Sequence, residues 1–170
     1  MNIVLIGFMG TGKSAVGRKL AKKLGMRYLD TDQMIEERER CRIFKIFQEK
    51  GEEYFRQVES RLIKEVALRD NCVIATGGGV VLREENMLAL RKNGLIICLS
   101  ADPETIWKRT ENDQERPLLK CKDPKRRIEK LLKMRKPYYQ KADFTIDTSR
   151  LTDEEVAERI IEVLRKEKWI

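Results

Sequence analysis

The sequence predicts an α/β fold: a five-stranded parallel sheet held between two layers of helices, three layers in all. Three observations carry that reading. Short apolar runs alternate with stretches of helical periodicity along most of the 170 residues. The first such junction reads Gly7-Phe8-Met9-Gly10-Thr11-Gly12-Lys13-Ser14, a match to GxxxxGKS at every specified position. The apolar runs at 72–75 and 95–99 lack the alternation of a half-exposed strand, which suits strands covered on both faces.

Residues 2–6 form the first expected strand, and Lys13 to Leu24 the helix that the glycine loop opens, with Val16, Leu20 and Leu24 on one face and Gly25 closing it. Tyr28 and Leu29 lead a short strand to Asp30-Thr31-Asp32, so two carboxylates are expected at one strand end. Residues 33–69 show helical periodicity with a break expected at Gly51, an inserted helical lobe of about 32–69. After the strand at 72–75 comes Thr76-Gly77-Gly78-Gly79, then a helix over 82–92 and the strand at 95–99. Asp102-Pro103 caps a helix reaching Thr110. Residues 111–123 read as a long loop of the kind that serves as a lid. A basic helix over 124–141, a last strand at 144–146 and an amphipathic helix over 153–168 complete one domain, residues 1–170, with right-handed crossovers.

Composition narrows the chemistry. The chain has no histidine, which excludes Ser-His-Asp and Cys-His catalysis, so a proton acceptor must be a carboxylate or a lysine. Cys41, Cys72, Cys98 and Cys121 form no CxxC pair, and reduced thiols in a cytoplasmic protein are expected, with neither a leader nor a membrane span signalled. The net charge of +8 is carried by residues 108–141, which hold 13 Lys or Arg against 5 Asp or Glu. Such a stripe fits nucleic acid or a lid over a polyanionic nucleotide, and the glycine loop favours the nucleotide.

In GxxxxGKS the glycines let successive backbone N–H groups turn toward phosphate oxygens at a helix N-terminus. Lys13 is expected to reach the outer phosphates, and Ser14 to place its hydroxyl on Mg²⁺. Neither later apolar strand ends in an acid, so Asp30 is left for the metal side and Asp32 for orienting and deprotonating a hydroxyl acceptor. Arg56 and Arg135 are candidates for a small acidic substrate, and Arg116 for charge on a migrating phosphoryl group.

In order and spacing, GFMGTGKS, LDTD at 29–32, GEExFRxxE at 51–59, TGGG at 76–79, RPLL at 116–119 and RxPxY at 135–139 resemble the shikimate kinase family over residues 2 to about 150. The resemblance implies a P-loop kinase fold with a helical substrate lobe and a lid, and transfer of the ATP γ-phosphoryl group to the 3-hydroxyl of shikimate. It implies ATP contacts at Gly10, Thr11, Gly12, Lys13, Ser14 and Ala15, catalytic roles for Asp32, Lys13 and Arg116, and a shikimate site of Asp32, Arg56, Gly77, Gly78, Gly79 and Arg135. Glu59 falls at the residue that supports Arg56; Ser14 and Asp30 at the Mg²⁺ contacts, the second through water; Arg109 and Arg150 near the adenine. Small-molecule substrates, no nucleic acid or membrane partner, and a monomer are expected. The family often has Gly-x-Ser-Ile where this chain has Arg40-Cys41-Arg42-Ile43. A gluconate or nucleoside-monophosphate kinase of the same fold, or a basic nucleic-acid-binding or nucleotide-switch protein, is the alternative.

Overall fold

The computed structural model describes residues 1–113 and 116–170. Strands β1 (Asn2–Ile6), β2 (Arg27–Asp30), β3 (Cys72–Ala75), β4 (Gly94–Ser100) and β5 (Phe144–Asp147) form one parallel sheet in the order β2-β3-β1-β4-β5. β1 sits at the centre, in register from Ile3 opposite Val73 on one side and Leu95 on the other. Its residues alternate between two cores, as the strand pleat requires. Ile3 and Leu5 pack with Val16 and Leu20 of α1 (Lys13–Leu24) and with Val156, Ile160 and Leu164 of α7 (Asp153–Lys166). Val4 and Ile6 face the other way, onto the larger core. That core is shared by α2 (Thr31–Glu39), α3 (Ile43–Ala67), α4 (Glu84–Arg91), α5 (Pro103–Thr110) and α6 (Pro124–Tyr139).

Several helix ends obey local chemistry. Asp102 and Asp123 accept from Thr105 N and Arg126 N with Pro103 and Pro124 at the first helical turn, and Thr152 and Glu155 form a reciprocal capping box on α7. Gly51 interrupts α3 at φ 83°, where the break was expected.

Three local expectations change. Two breaks, not one, divide residues 33–69, because Arg40 ends α2 in the left-handed region at φ 49°. The helix expected over 82–92 is a 3₁₀ turn (Val80–Leu82) followed by α4, which starts only at Glu84. Asp30 and Asp32 do not leave one strand end together. Asp30 ends β2 and caps α2 through Asp32 N and Gln33 N at 3.1 and 3.2 Å, whereas Asp32 lies in the first turn of α2. The expected lid includes Gln114 and Glu115, which fall outside the described residues; nearby, Pro117–Leu119 form a 3₁₀ turn.

Candidate active site

Two adjoining cavities open at the carboxyl ends of the strands, where ligands gather in open α/β sheets. The larger, about 840 Å³, is floored by the loop between β1 and α1, with Gly10, Gly12, Lys13, Ser14 and Ala15 in its lining. Lys13 is buried and donates from Nζ to the carbonyls of Gly7 and Phe8, both at 2.8 Å. Burial pulls its ammonium down to about 8, opposed by the carboxylate of Asp32 and assisted by the cation of Arg116. Ser14 Oγ donates to Asp30 Oδ2 at 2.7 Å, and the Tyr28 hydroxyl donates to the same oxygen at 2.9 Å. Burial first, and the Asp30 charge second, raise the Tyr28 pKa, so its hydroxyl remains a donor.

Thr11 is buried and turns inward, its hydroxyl donating to Phe8 O at 2.8 Å. Arg109 lines the cavity while binding Gly10 O at 3.1 Å and the Thr148 carbonyl at 2.8 Å, which ties the loop to the segment after β5. Arg150 is exposed and is absent from the lining, to which Leu151, Thr152 and Asp153 contribute instead.

The smaller cavity, about 240 Å³, brings together Asp32, Arg56, Glu59, Gly77, Gly78, Gly79, Arg116 and Arg135. Arg56 and Glu59 come from one face of α3 and pair at 2.9 Å in the interior, with Glu52 a further 3.3 Å partner of Arg56. Burial lifts the Glu59 carboxyl above its usual range even against the charge of Arg56. Arg135 arrives from α6, 4% exposed, its guanidinium over the Phe8 ring at 5.6 Å.

The glycines of this cavity are required by contact. A Cβ on Gly77 would stand 2.6 Å from Asp32 Oδ1 and 2.9 Å from Glu59 Oε1, and one on Gly79 would stand 2.3 Å from Arg56 Nη2. Any side chain there would displace the charged groups themselves.

The cavities share Met9, Asp32, Glu36, Gly78 and Arg116. Asp32 is thus at the junction. Burial raises its carboxyl from 3.8 to about 7, with the charges of Glu59 and Asp30 acting in the same direction and Lys13 and Arg116 opposing. Its Oδ1, together with Glu59 Oε1 and Arg56 Nε, is enclosed without a hydrogen-bond partner among the described residues. Buried polar atoms are nearly always paired, so three orphans around one cavity mark a place where a polar ligand completes the set.

The shikimate kinase family model matches residues 9–165. The chain belongs to the shikimate kinase family. It is 52% identical to the shikimate kinase of Thermodesulfovibrio yellowstonii over 160 residues, covering 94% of this chain and 92% of that protein. It is 48% identical to that of Caldanaerobacter subterraneus subsp. tengcongensis, covering 98% of each. Among solved structures, the shikimate kinase of Acinetobacter baumannii in complex with shikimate superposes with a TM-score of 0.96 at 37% identity, covering 98% of this chain and 94% of that one. That of Aquifex aeolicus gives 0.84 at 32% identity, covering 99% of each chain.

For this shikimate kinase family member, sequence reasoning overlooked two hydroxyls at the site. Tyr28 was read only as part of a strand, and nothing in its own neighbourhood predicts that its ring leaves β2 toward Asp30. Tyr139 belongs to the RxPxY motif, one helical turn after Arg135, and donates to Gly78 O at 2.7 Å. The i, i+4 spacing was the available signal. Among the described residues no cluster of three or more His, Cys, Asp or Glu forms a cation site, and no helix is long and apolar enough to cross a membrane.

Proposed function

We propose that the chain transfers the γ-phosphoryl group of ATP to the 3-hydroxyl of shikimate, with the triphosphate in the larger cavity and shikimate in the smaller. The observation that carries this reading is the position of Asp32 at the wall common to both, with an enclosed carboxylate oxygen that lacks a partner. In the ionised state that carboxylate accepts the proton of the attacking hydroxyl. The hydroxyl oxygen forms a bond to Pγ, the bond from Pγ to the β,γ-bridging oxygen breaks, and ADP departs with the electron pair. A pKa of about 7 suits this role, because the group is available near neutrality and still basic enough to take a proton.

Arg56 and Arg135 bind the shikimate carboxylate by charge-assisted hydrogen bonds, Glu59 holds Arg56 in place, and Gly77, Gly78 and Gly79 leave room for the ring. Gly10, Gly12, Ala15 and the backbone of Thr11 cradle phosphates. Lys13 and Arg116 neutralise charge on the migrating group, Arg116 from the 111–123 lid and opposite the α2–α3 lobe. Arg109 supports the nucleotide end of the loop, and Arg150 immediately precedes the cavity-lining residues Leu151, Thr152 and Asp153 in the chain.

Ser14 and Asp30 fit Mg²⁺: both offer hard oxygens, 2.7 Å apart beside the phosphate loop, and Ser14 would hold the ion directly and Asp30 through water. When bound, Mg²⁺ neutralises phosphate charge and orients the triphosphate. The partners are then small molecules, and the chain acts as a monomer. Four unpaired cysteines suit the cytoplasm.

The test is ADP release in a coupled assay with shikimate, gluconate and nucleoside monophosphates as acceptors. Turnover with shikimate is the expected result. Turnover with gluconate or a nucleotide, and none with shikimate, would replace the acceptor.

A further inference from the structure

A third cavity, about 760 Å³, opens between α5, α6 and the carboxyl ends of β4 and β5, and it shares no lining residue with the two cavities of the active site. Its size falls within the range of pockets that hold small molecules. Its floor is apolar, with Phe8, Ala101, Pro103, Leu132 and the ring of Tyr139. The charge at its mouth has one sign. Lys133 and Lys136 stand one turn apart on α6, no acidic residue lines the cavity, and neither lysine has an ion-pair partner among the described residues.

Two walls of this cavity are the reverse sides of groups that build the acceptor pocket. Phe8 carries the Arg135 guanidinium on its ring, and Tyr139 holds the Gly78 carbonyl. A ligand seated against both rings therefore touches the supports of one shikimate arginine and one shikimate glycine, and at Thr11 it also meets the phosphate loop.

We propose that this cavity binds a small aromatic carboxylate and that its occupancy changes the affinity for shikimate through Phe8 and Tyr139. The ring lies against Phe8, Ala101 and Leu132, and the carboxylate meets Lys133 and Lys136. The coupling rests on the acceptor reading above, and linkage makes it reciprocal, so shikimate alters binding of the aromatic acid by the same factor.

The probe is 2-naphthoate, titrated against the whole protein in saturating shikimate and ADP, with methyl NMR signals of Ala101 and Leu132 as the readout. Saturable shifts at those methyls with a midpoint below about 1 mM are expected, and 2-naphthylmethanol, which lacks the charge, binds at least about tenfold more weakly. Reversing both exposed lysines, Lys133→Glu with Lys136→Glu, weakens 2-naphthoate at least about tenfold and leaves kcat unchanged. Saturating 2-naphthoate changes the shikimate KM by about threefold or more. Absent shifts, shifts that survive the charge reversal, shifts that shikimate abolishes by competition, or a shikimate KM that does not move would each overturn the proposal. Failure of the acceptor reading registers separately, as no ADP release with shikimate, because the methyl titration reads occupancy without turnover.

Discussion

The two halves of the active site meet at Asp32, yet they are built from different materials. On the nucleotide side the polar groups are already partnered: Lys13 on two carbonyls, Ser14 on Asp30, Arg109 on Gly10 and Thr148. The acceptor side encloses charged side chains beside Phe47 and Phe55 and leaves Asp32 Oδ1, Glu59 Oε1 and Arg56 Nε without partners. One half is preorganised by a contiguous stretch of backbone. The other is assembled from α2, α3, β3 and α6 and remains electrostatically incomplete until a ligand arrives.

The sharpest way to separate the halves is Asp32→Asn, which should lower kcat by about 10³-fold while ADP affinity, measured by calorimetry, stays within about twofold. A loss of nucleotide affinity of the same size would mean that the two sides are not distinct. In the unmodified protein kcat should rise with pH through about 7 and level above it, because the base must be ionised. Stability runs the opposite way. A folded-state pKa raised from 3.8 to about 7 gives stability that is present below 3.8 and lost as pH rises to 7. Asp32→Asn removes that loss, so thermal melts should find the variant more stable than the parent at pH 8, with the gap closing toward pH 4.

Glu59→Ala tests whether the acceptor half depends on its buried pair. Removing one member of a pair whose carboxylate is 1% exposed leaves Arg56 enclosed, with only the half-exposed Glu52 beside it. A loss of about 3 kcal/mol in denaturant unfolding is expected, with a raised shikimate KM and an ADP affinity close to that of the parent. A stability change below about 0.5 kcal/mol would mean that Glu52 alone suffices for Arg56.

Tyr28→Phe makes the matching change on the nucleotide side, removing the 2.9 Å hydrogen bond to Asp30 Oδ2 and nothing from the acceptor pocket. The Mg²⁺ concentration needed for half-maximal ADP binding should rise about tenfold, and the shikimate KM should hold. An unchanged Mg²⁺ requirement would reduce Tyr28 to a packing residue.

The same division decides what could be read from the sequence. The span from β1 through the glycine loop to Gly25 was legible residue by residue, since adjacent positions determine where the backbone donors point. β3 was legible as Cys72–Ala75 because a strand covered on both faces is a continuous apolar run between turn signals. In the acceptor half, the residue types were legible through family resemblance, but their mutual arrangement was not. The close approach of Gly77 to Asp32, where an added Cβ would stand 2.6 Å from Oδ1, or the seating of Arg135 on Phe8, depends on strand order and helix packing over long sequence separations. Arg109 gave no local sign that it would bind the backbone on both sides of the nucleotide cavity. The role of Asp30 as the cap of α2 was not legible, because either Asp30 or Asp32 could have begun that helix.

Arg40 is the smallest of these tests and the most local. The family often has glycine at this position, and the structure has the reason: Arg40 ends α2 at φ 49° and ψ 37°, a conformation that a Cβ disfavours. Its amide nonetheless donates to Glu36 O, so the chain keeps the helix-ending geometry of a glycine with an arginine in place. Arg40→Gly relieves that strain and adds freedom to the unfolded chain, and the two effects oppose each other. The net expectation is a gain of about 0.5–1 kcal/mol, or roughly 1–4 °C in Tm. Arg40 lines neither active-site cavity, so kcat and both KM values should stay as they are. A raised shikimate KM would mean that the strained turn helps to hold the lobe over the acceptor, and would extend the electrostatic tension of that half into its backbone.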